Sequence, residues 1–595
     1  MLGLGLGLSN ITGGIGNIIS RLLSALKGKA EYFENNVDSK QILTEFKEEG
    51  LLDKASIILT PTAYSNGVIR PAVPEYKVLP TELVTNGTFD TDSNWGKSVG
   101  WSIENGRASS DGSSSYSFLQ QLNVVANARV YKLSYSVVNY ISGAVNVGVG
   151  GTTNGNIPRT SVGDFVEYHV SNGTNLTIIS QNFIGSIDNV SVKEIQEADF
   201  DFTRATIATR VNESGLIEEV AAGVPRIDYS TGVGQWLFEP ARTNLVTYSE
   251  NFSNLYWTKQ CDLIGNTLFQ PDGTQVGFSI QEKTVNTYQY IYKSNFNVSV
   301  GTQYTFSVFV KYIDLRYIQL TVYDGGNYSS ACFDLLNKTS TTAQNGGYTS
   351  SNARVDDYGD GWLRIQYTFT SPVASTIISI CANNTPTAGY VPLYIGNGLK
   401  SAIYGAQIEE GSYPTSYIPT SGATVTRNAD IANNSGNADL FNDSEGVLYA
   451  EVSRLNGDLN PTLIGINKGG SEFSGFSFRT DGKIWAATYN GTSYDNIIQY
   501  TPSNFYDTYK IAYKYKTNDF AMWVNGVEIG GSLVNTLTLT GLNDLSFTNG
   551  FGTSNFYGKT KELAVFKEAL TDEELEALSS WASFELMVAD LEYTI

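Results

Sequence analysis

A motif that occurs twice constrains the fold of this chain more than any other feature of its sequence. Leu-Val-Thr begins at Leu83 and again at Leu245, and a Trp follows twelve residues later in both copies, at Trp95 and Trp257. Matching strand patterns then come in the same order. They comprise Tyr131, Leu133, Ser134 and Val137 with Ile187, Val190 and Val192 in the first copy, and Tyr304, Phe306, Ser307 and Val310 with Ile403, Ala406 and Ile408 in the second. This repetition predicts two modules of one kind in tandem.

Both modules show the alternation of apolar and polar residues that is typical of half-buried strands, and almost none of the period typical of helices. The composition agrees, because 37 Tyr, 28 Phe and 58 Gly with only 15 Pro is the mixture expected of strands joined by tight turns. A length of 595 residues corresponds to about four structural units. We therefore predict a mostly β protein in which each repeated module is a jelly-roll β-sandwich.

The charge and the rare residue types disfavour several functional classes. A formal net charge of −21 argues against a nucleic-acid or anionic-membrane surface, since binding a polyanion relies on clustered Lys and Arg. The single histidine, His169, lies in a strand-like segment, which disfavours catalytic triads and zinc sites that depend on histidine. Cys261, Cys332 and Cys381 imply no disulfide framework and fit assembly in a reducing cytoplasm. No apolar run is long enough to predict a membrane-spanning helix.

The N-terminal segment alternates Gly with Leu and lacks the basic region and cleavage site of a signal peptide. Two interpretations stay open. Leu2, Leu4, Leu6 and Leu8 form a docking peg that orders on a partner, or the terminus is frayed. An apolar stripe of helical period follows at residues 15–26, and a second helix is predicted at 39–49, with Asp38 as its N-cap and Gly50 as its stop. Two short helices cannot bury their apolar stripes alone, so they must pack on each other, on the sandwich or on symmetry mates, and we expect an oligomeric neck.

Prolines and shifts in composition divide the chain into seven segments. They are an N-terminal anchoring segment (1–52), a strand at 55–60 with a connector (53–81), the first sandwich (82–198), a second connector (199–243), the second sandwich (244–420), a third β domain (421–583) and a C-terminal tail (584–595). The third domain carries two strong local signals. Asn525-Gly526 predicts a hairpin turn, and Thr571 with Glu574 predicts a capping box that begins a helix.

The segments around the second sandwich resemble bacteriophage virion appendage proteins. The connector that recurs in those proteins is similar to residues 202–218 (FTRATIATRVNESGLIE), 225–226 (PR) and 239–245 (EPARTNL), and the end of their carbohydrate-binding-module-like sandwich is similar to residues 404–420 (YGAQIEEGSYPTSYIPT). Gly361-Trp362-Leu363-Arg364 resembles their Gly-Trp-Tyr-Arg strand, with Leu363 in place of the usual Tyr. The first sandwich looks like the same module placed ahead of the connector.

The third domain resembles the concanavalin-like, laminin-G-type sandwich through residues 509–513 (YKIAY), 522–526 (MWVNG) and 563–571 (LAVFKEALT). Together these resemblances imply a tail or head fibre or a spike subunit, usually a homotrimer, that is anchored to other virion proteins by its N-terminus. They imply assembly in the host cytoplasm and localisation in the virion. They also imply that the modules either bind host surface glycans during adsorption or only build the shaft.

A glycan site in a sandwich requires aromatic rings for the apolar face of the sugar and polar side chains for its hydroxyls. Three groups of residues fit this description. They are Trp95 and Trp101 in the first sandwich, Tyr256 and Trp257 in the second, and Trp485, Tyr489, Tyr494 and Asp495 in the third, which is the preferred group. For each group the alternative is ordinary burial, the common fate of aromatics in sandwiches. Core packing is expected for Trp362, and a structural role for Trp523 beside the predicted hairpin turn.

Metal and catalytic sites receive little support from the sequence. Asp324, Asp356, Asp357 and Asp360 could supply oxygen ligands to a structural calcium ion, although EF-hand spacing is lacking. Glu409 and Glu410 are adjacent on one predicted strand and therefore face opposite ways, which does not suit the paired carboxylates of a glycosidase. Neither a phosphate-binding loop nor a serine nucleophile elbow occurs.

The leading hypothesis is a non-enzymatic virion fibre whose third domain reaches outward to glycans. Two alternatives stay open. A tailspike depolymerase would need a carboxylate pair in a groove, within one chain or between subunits. A decoration or adaptor protein would lack exposed aromatic loops around Trp95, Tyr256 and Tyr494.

Overall fold

The computed structural model of the protein describes residues 54–580, apart from residues 63, 72–78, 80, 127–128, 151–156, 196–197, 459, 470–471, 531–534 and 549–553. The predicted docking peg (Leu2, Leu4, Leu6 and Leu8), both N-terminal helices and the tail 584–595 lie outside the described residues. The regular secondary structure of the described part is nearly all strand, arranged in sandwiches, which confirms the mostly β fold. None of its helices has the length and apolar character needed to cross a membrane.

The first sandwich is built around two long antiparallel strands and follows three short ones. The strands are β1 (Ala55–Leu59), β2 (Tyr64–Ser65), β3 (Val68–Ile69), β4 (Gly96–Lys97), β5 (Trp101–Glu104), β6 (Arg107–Asp111), β7 (Ser117–Gln121), β8 (Val130–Val149), β9 (Gly163–Val170) and β10 (Leu176–Glu194). Strands β8 and β10 pair along most of their length, and β9 pairs with β8, whereas β6 and β7 pair with β10. Register shifts interrupt the long ladder, and such bulges bend strands. Alternating residues along these strands, for example Leu133 in β8 and Ile178 in β10, point into one shared hydrophobic core.

The second sandwich consists of two antiparallel sheets of six strands each. Before it come β11 (Phe200–Thr203), β12 (Ala208–Val211), β13 (Ile217–Val220), β14 (Ile227–Asp228), β15 (Gln235–Phe238) and β16 (Arg242–Asn244). Its strands are β17 (Thr258–Lys259), β18 (Asp262–Asn266), β19 (Gly277–Gln281), β20 (Thr287–Tyr288), β21 (Tyr290–Asn297), β22 (Gln303–Tyr312), β23 (Tyr317–Tyr323), β24 (Tyr328–Asp334), β25 (Thr339–Gln344), β26 (Thr349–Asp357), β27 (Trp362–Thr370), β28 (Ser375–Asn383), β29 (Leu393–Tyr394) and β30 (Lys400–Glu410). One sheet has the order β17-β21-β28-β23-β24-β25 and the other β18-β19-β30-β22-β27-β26.

The two tandem sandwiches repeat the same contacts at equivalent positions of the repeated pattern. The paired residues are Val137–Ile187 and Leu133–Val192 in the first, and Val310–Ile403 and Phe306–Ile408 in the second. In both, the hydroxyl of the tyrosine that opens the pattern accepts a hydrogen bond from the backbone five residues earlier. Ala126 donates to Tyr131 at 2.7 Å, and Ser299 donates to Tyr304 at 3.0 Å. The repeated sequence therefore produces the same local structure twice.

The third sandwich packs an eight-stranded sheet against a five-stranded sheet. The C-terminal part of the chain contains β31 (Val425–Arg427), β32 (Ile431–Asn433), β33 (Glu445–Arg454), β34 (Thr462–Lys468), β35 (Glu472–Phe478), β36 (Ile484–Tyr489), β37 (Tyr494–Tyr500), β38 (Tyr509–Lys516), β39 (Ala521–Val524), β40 (Val527–Glu528), β41 (Asp544–Ser546) and β42 (Gly558–Phe566), with helix α1 (Asp572–Ser580) and a short 3-10 helix (Ala438–Leu440). The larger sheet has the order β14-β15-β42-β33-β38-β39-β40, with β1 as its eighth strand paired to β42, and the smaller one has the order β37-β36-β35-β34-β41.

Two local predictions in this sandwich are confirmed. Asn525 and Gly526 both have positive φ, 50° and 81°, and join β39 to β40, as a tight hairpin turn requires. Thr571 and Glu574 form the capping box of α1: the Thr571 N–H donates to the Glu574 carboxylate at 2.8 Å, and the Glu574 N–H donates to the Thr571 hydroxyl at 3.3 Å.

Three strands of the eight-stranded sheet come from segments that the sequence places in connectors. Strand β1, which confirms the strand predicted at 55–60, pairs with β42, and β15 pairs with the other end of β42 and with β14. Ile57, Trp236 and Phe238 on these strands are part of the third core. The third sandwich thus includes residues that precede the first and the second sandwich in sequence.

A buried network of ion pairs joins the connector to the end of the second sandwich. Arg226 pairs with Glu239 at 2.8 Å and with Asp430, Arg204 pairs with Asp430 at 3.0 Å, and Arg427 pairs with Glu239. All five side chains are at most 4 % exposed. Because a buried charge without its partner is costly, loss of one member is expected to destabilise this junction.

Candidate functional site

Strand alternation creates an outward face on the five-stranded sheet of the third sandwich. In β36, Ile484 and Ala486 belong to the core, so Trp485 and Tyr489 lie on the opposite side of the sheet. The pairing of β36 with β37 sets Tyr489 opposite Tyr494. The fold therefore brings three of the four residues of the preferred predicted group to one face.

Three rings on this face form a contiguous group. The ring centroids of Tyr489 and Tyr494 are 5.2 Å apart, and that of Phe473 lies 5.9 Å from Tyr489 and 6.4 Å from Tyr494. Tyr494 is 46 % exposed and Tyr489 is half-buried, whereas Phe473 is only 7 % exposed and supports the two tyrosine rings without offering a surface itself. Neither tyrosine hydroxyl has a hydrogen-bond partner among the described residues, so both are free to bond a ligand.

Trp485 extends this surface along β36. Its ring is half-buried, and the guanidinium carbon of Arg479 lies 4.7 Å from the ring centroid, which is the geometry of a cation–π contact. The indole N–H of Trp485 is buried without a hydrogen-bond partner. We name Phe473, Trp485, Tyr489 and Tyr494 together the outer aromatic face.

The Asp495 carboxylate is held by hydrogen bonds at the edge of this face, and its contact with a glycan stays a prediction. Its carboxylate accepts hydrogen bonds from the Thr538 N–H at 2.7 Å, from the Thr538 hydroxyl at 2.9 Å and from the Asn490 amide at 2.7 Å. These bonds fix the segment after residue 537 beside the outer aromatic face. Asp495 therefore supports the rim of this surface, and the prediction of direct glycan contact is not needed to explain its position.

Phe473 and Arg479 were missed by sequence reasoning. A signal for Phe473 existed, because Phe476 and Phe478 face the core and an odd separation along a strand places Phe473 on the opposite side from Phe476. Arg479 follows the end of β35, and no local pattern shows that its guanidinium reaches Trp485 on the next strand.

Three other predicted glycan residues are corrected by the structure. Trp95, Trp101 and Trp257 are at most 7 % exposed and belong to the cores of the first and second sandwiches. Each of Trp95 and Trp257 also packs on a nearby phenylalanine, with ring centroids 5.2 and 5.5 Å apart. These indoles fill the cores of their sandwiches, so their rings are not available for a ligand to stack on.

Tyr256 is half-buried at the margin of the second core. Its ring packs edge-on against Trp257 at 5.2 Å, and the Lys293 ammonium lies 5.3 Å from its centroid. Burial raises the pKa of Tyr256 to about 12, although hydrogen bonds with Thr247 oppose that rise. Its contacts are those of a packing residue rather than of an open surface.

Trp362 is buried, as predicted, but not with Leu363 in the core between the sheets. It lies in a separate cluster on the outer side of its sheet, with Phe309 and Tyr404, and its indole donates to the Phe269 carbonyl at 2.9 Å. The connector and the segment around Tyr417 cover this side.

The acidic residues considered for calcium are each engaged separately. Asp357 pairs with Lys338 at 2.5 Å, Asp360 with Lys311 at 3.2 Å and Asp356 with Arg354 at 3.1 Å, whereas Asp324 accepts the Asn327 N–H at 3.0 Å. In the part of the chain that the structure describes, no three His, Cys, Asp or Glu side chains are grouped as a metal site would require.

The adjacent pair Glu409 and Glu410 behaves as alternation predicts. Glu409 is buried and accepts the Thr415 N–H at 2.9 Å and the Gln407 amide at 2.6 Å, whereas Glu410 is exposed. The two carboxylates thus face opposite sides of β30 and do not form a pair.

Comparison with known proteins yields similarities of fold. No family model matches the chain, and no curated protein sequence matches it. The chain is similar to the CBM40 module of the Ruminococcus gnavus IT-sialidase (15% identity, 25% of this chain and 93% of that one, TM-score 0.21). It is also similar to the tandem CBM22-1–CBM22-2 domains of Paenibacillus barcinonensis Xyn10C (12%, 56% and 98%, TM-score 0.18) and to domains LG4-5 of the mouse laminin alpha1 chain (12%, 53% and 96%, TM-score 0.18).

Proposed function

We propose that this protein is a non-catalytic subunit of a bacteriophage virion appendage that recognises glycans on the host surface. The observation that carries the proposal is the outer aromatic face, where the rings of Phe473, Tyr489 and Tyr494 are in mutual contact and two phenolic hydroxyls are free. Sugar rings stack their CH-rich faces on such rings, and their hydroxyls need hydrogen-bond partners.

The appendage role is supported by the segments that resemble virion proteins. Those segments contain Arg204, Arg226 and Glu239, which bind the connector to Asp430 and Arg427 beyond the second sandwich. These buried ion pairs hold the connector to the segment that follows the second sandwich, as an elongated appendage built of consecutive sandwiches would need. In this proposal residues 1–52 attach the chain to other virion proteins, and the chain forms a homotrimer.

The non-catalytic part of the proposal is supported by the lining of a cleft of about 670 Å³ beside the second sandwich. Glu410 is the one acidic residue among those that line it, and Arg242 and Tyr304 also contribute. Glycosidases place two carboxyl groups on opposite sides of the scissile bond. The single carboxylate of this cleft does not meet that requirement. A smaller cleft of about 120 Å³ is lined by Asp228, Glu239 and Asp356, but each of these carboxylates is held in an ion pair with a Lys or Arg side chain.

The proposal is tested with the full-length protein on a glycan array and on whole bacterial cells. The informative variant is Tyr489→Ala with Tyr494→Ala, and the matched control is Tyr116→Ala, which removes a tyrosine of similar exposure (51 %) from the first sandwich. We expect saturable binding that the double variant loses and the control retains. Antibodies against the protein are expected to label an appendage of the purified particle and to block adsorption.

Other outcomes would reject parts of the proposal. Release of reducing sugar from the bound polysaccharide would contradict the non-catalytic assignment and favour the depolymerase. Absence of glycan and cell binding, with antibody label on the particle, would favour an adaptor protein. A mass in light scattering equal to one 64.8 kDa chain would contradict the homotrimer.

A further inference from the structure

The second sandwich has an outward face rich in tyrosine. In β21, Ile291 belongs to the core, and Tyr290 and Tyr292 on either side of it therefore face outward. In the neighbouring hairpin of β23 and β24, Tyr323 lies directly opposite Tyr328. Strand β28 lies between β21 and β23, so these tyrosines share one face of a single sheet.

Six tyrosine rings on this face lie in consecutive contact. Neighbouring ring centroids are between 5.1 and 6.5 Å apart. We name the group the tyrosine layer; its members are Tyr288, Tyr290, Tyr292, Tyr323, Tyr328 and Tyr390. No member was singled out from the sequence, although Tyr288, Tyr290 and Tyr292 have the period of two that places side chains on one side of a strand.

Tyr390 joins the layer because a loop is fastened across the sheet. The buried side-chain amide of Gln319 donates to the carbonyls of Gly389 and Tyr390, each at 3.0 Å, and its oxygen accepts the Gly389 N–H at 3.2 Å. The Tyr390 ring then contacts Tyr323 at 5.2 Å and Tyr328 at 5.8 Å. The layer is therefore held in place before any ligand arrives.

The layer is partly open to solvent. Tyr290 and Tyr323 are buried, whereas Tyr288 is 40 % exposed and Tyr292, Tyr328 and Tyr390 are half-buried. The hydroxyls of these last four tyrosines have no hydrogen-bond partner among the described residues. The surface thus offers rings for stacking and hydroxyls that can both donate and accept.

The charges near the layer indicate the class of ligand. No Lys or Arg side chain stacks on any of the six rings, in the part of the chain that the structure describes. Asp324 lies in the turn between Tyr323 and Tyr328, where its carboxylate accepts the Asn327 N–H at 3.0 Å, so a negative charge stands beside the layer. A carboxylated or sulfated sugar would therefore meet the charge of Asp324, and no cation stacked on the rings would offset that repulsion.

We propose that the tyrosine layer is a second glycan-binding site, specific for neutral saccharides. This proposal depends only on residues of the second sandwich. It would hold even if the outer aromatic face did not bind sugar. If both sites are occupied on one surface, the second binding event becomes intramolecular, and the apparent affinity rises without any new contact.

The test uses the full-length protein in affinity electrophoresis through gels that contain mannan, galactan, xylan, β-glucan or dextran, with alginate as the acidic polysaccharide. The informative variant is Tyr292→Ala with Tyr328→Ala. The matched control is Tyr312→Ala, which removes a 38 % exposed tyrosine of the same sandwich that is not in the layer. We expect retardation by at least one neutral polysaccharide and a loss of affinity on the order of tenfold in the double variant only.

Two further variants keep the result interpretable. Tyr292→Phe with Tyr328→Phe retains the rings, so it should fold normally and lose only the part of the affinity that its hydroxyls supply. Tyr489→Ala with Tyr494→Ala should leave this retardation unchanged, which separates the tyrosine layer from the outer aromatic face. Absence of retardation by every neutral polysaccharide, equal retardation by alginate, or retardation that survives the alanine double variant would overturn the assignment.

Discussion

Trp257 donates its indole N–H to the backbone carbonyl of Tyr248 at 2.9 Å, nine residues earlier in the chain. Trp95 makes the equivalent hydrogen bond to the carbonyl of Asn86, also nine residues earlier, at 3.0 Å. Both indoles pack on the phenylalanine inside the loop that this bond closes. The twelve-residue spacing from Leu to Trp in the repeated motif thus has a structural role. It places the Trp ring so that the ring closes one end of each core.

We predict that Trp257→Phe lowers the free energy of unfolding by about 1 kcal/mol, because the half-buried Tyr248 carbonyl loses its donor while most of the ring volume is kept. Trp485→Phe is the matched control, since its indole N–H has no partner to lose. Chemical denaturation followed by circular dichroism measures both. Equal losses in the two variants would show that ring volume, and not the hydrogen bond, matters at Trp257.

The ion network predicts a dependence of stability on pH. Burial alone would raise the pKa of Glu239, but the positive charges of Arg427 and Arg226 and hydrogen bonds from Ser416 lower it to about 2. A carboxyl whose pKa falls on folding stabilises the protein fully above its unfolded pKa, near 4.5, and that contribution is lost as the pH falls toward 2.

Glu239→Gln is therefore expected to be less stable than the natural protein at pH 7 by about 3 kcal/mol, and the difference should shrink between pH 4.5 and pH 2. Urea denaturation at several pH values measures it. The exposed Glu410→Gln variant serves as the control for removal of one carboxylate from the same region of the chain. A difference that stays constant across this range would mean that the loss at Glu239 arises from packing and not from its charge.

The sequence predicts those features of the fold that depend on residues close together in the chain. It does not predict features that depend on contacts between distant segments. Alternation predicted the strands, and the Asn525-Gly526 turn and the Thr571 capping box were recognisable because their chemistry is local. The membership of Trp236 in the third core was not, since antiparallel pairing between β15 and β42 leaves no mark in either segment alone. Alternation likewise predicts which residues of a strand share a side with Tyr494 or with Trp95. It does not predict which of the two sides of the sheet the rest of the chain buries.

The mixed origin of the third sandwich leads to a prediction about domain independence. Trp236→Ala, in the segment before the second sandwich, is expected to destabilise the third sandwich by about 3–5 kcal/mol through lost burial. Hydrogen exchange should rise in β33 and β42 and stay unchanged in β8 and β10. Trp95→Ala is the control and should give the reverse pattern.

The mixed origin of the third sandwich also affects how glycan binding is tested. A protein truncated after Thr420 would lack the rest of the third sandwich, so Trp236 and Phe238 would be exposed. Point variants therefore test glycan binding more cleanly than such a truncation does.

The last prediction concerns Asp495, which supports the outer aromatic face without belonging to its rings. Asp495→Ala removes the acceptor of the Thr538 N–H and hydroxyl bonds, so the segment that they fix should loosen. We expect faster amide exchange at residues 538–540 and weaker binding of the glycan that the outer aromatic face recognises. Asp481→Ala is the matched control, because among the described residues that carboxylate accepts the Lys483 N–H of its own turn and no other hydrogen bond. Faster exchange with unchanged binding would show that the ligand contacts the rings alone, whereas weaker binding with unchanged exchange would show that the Asp495 carboxylate bonds the sugar directly.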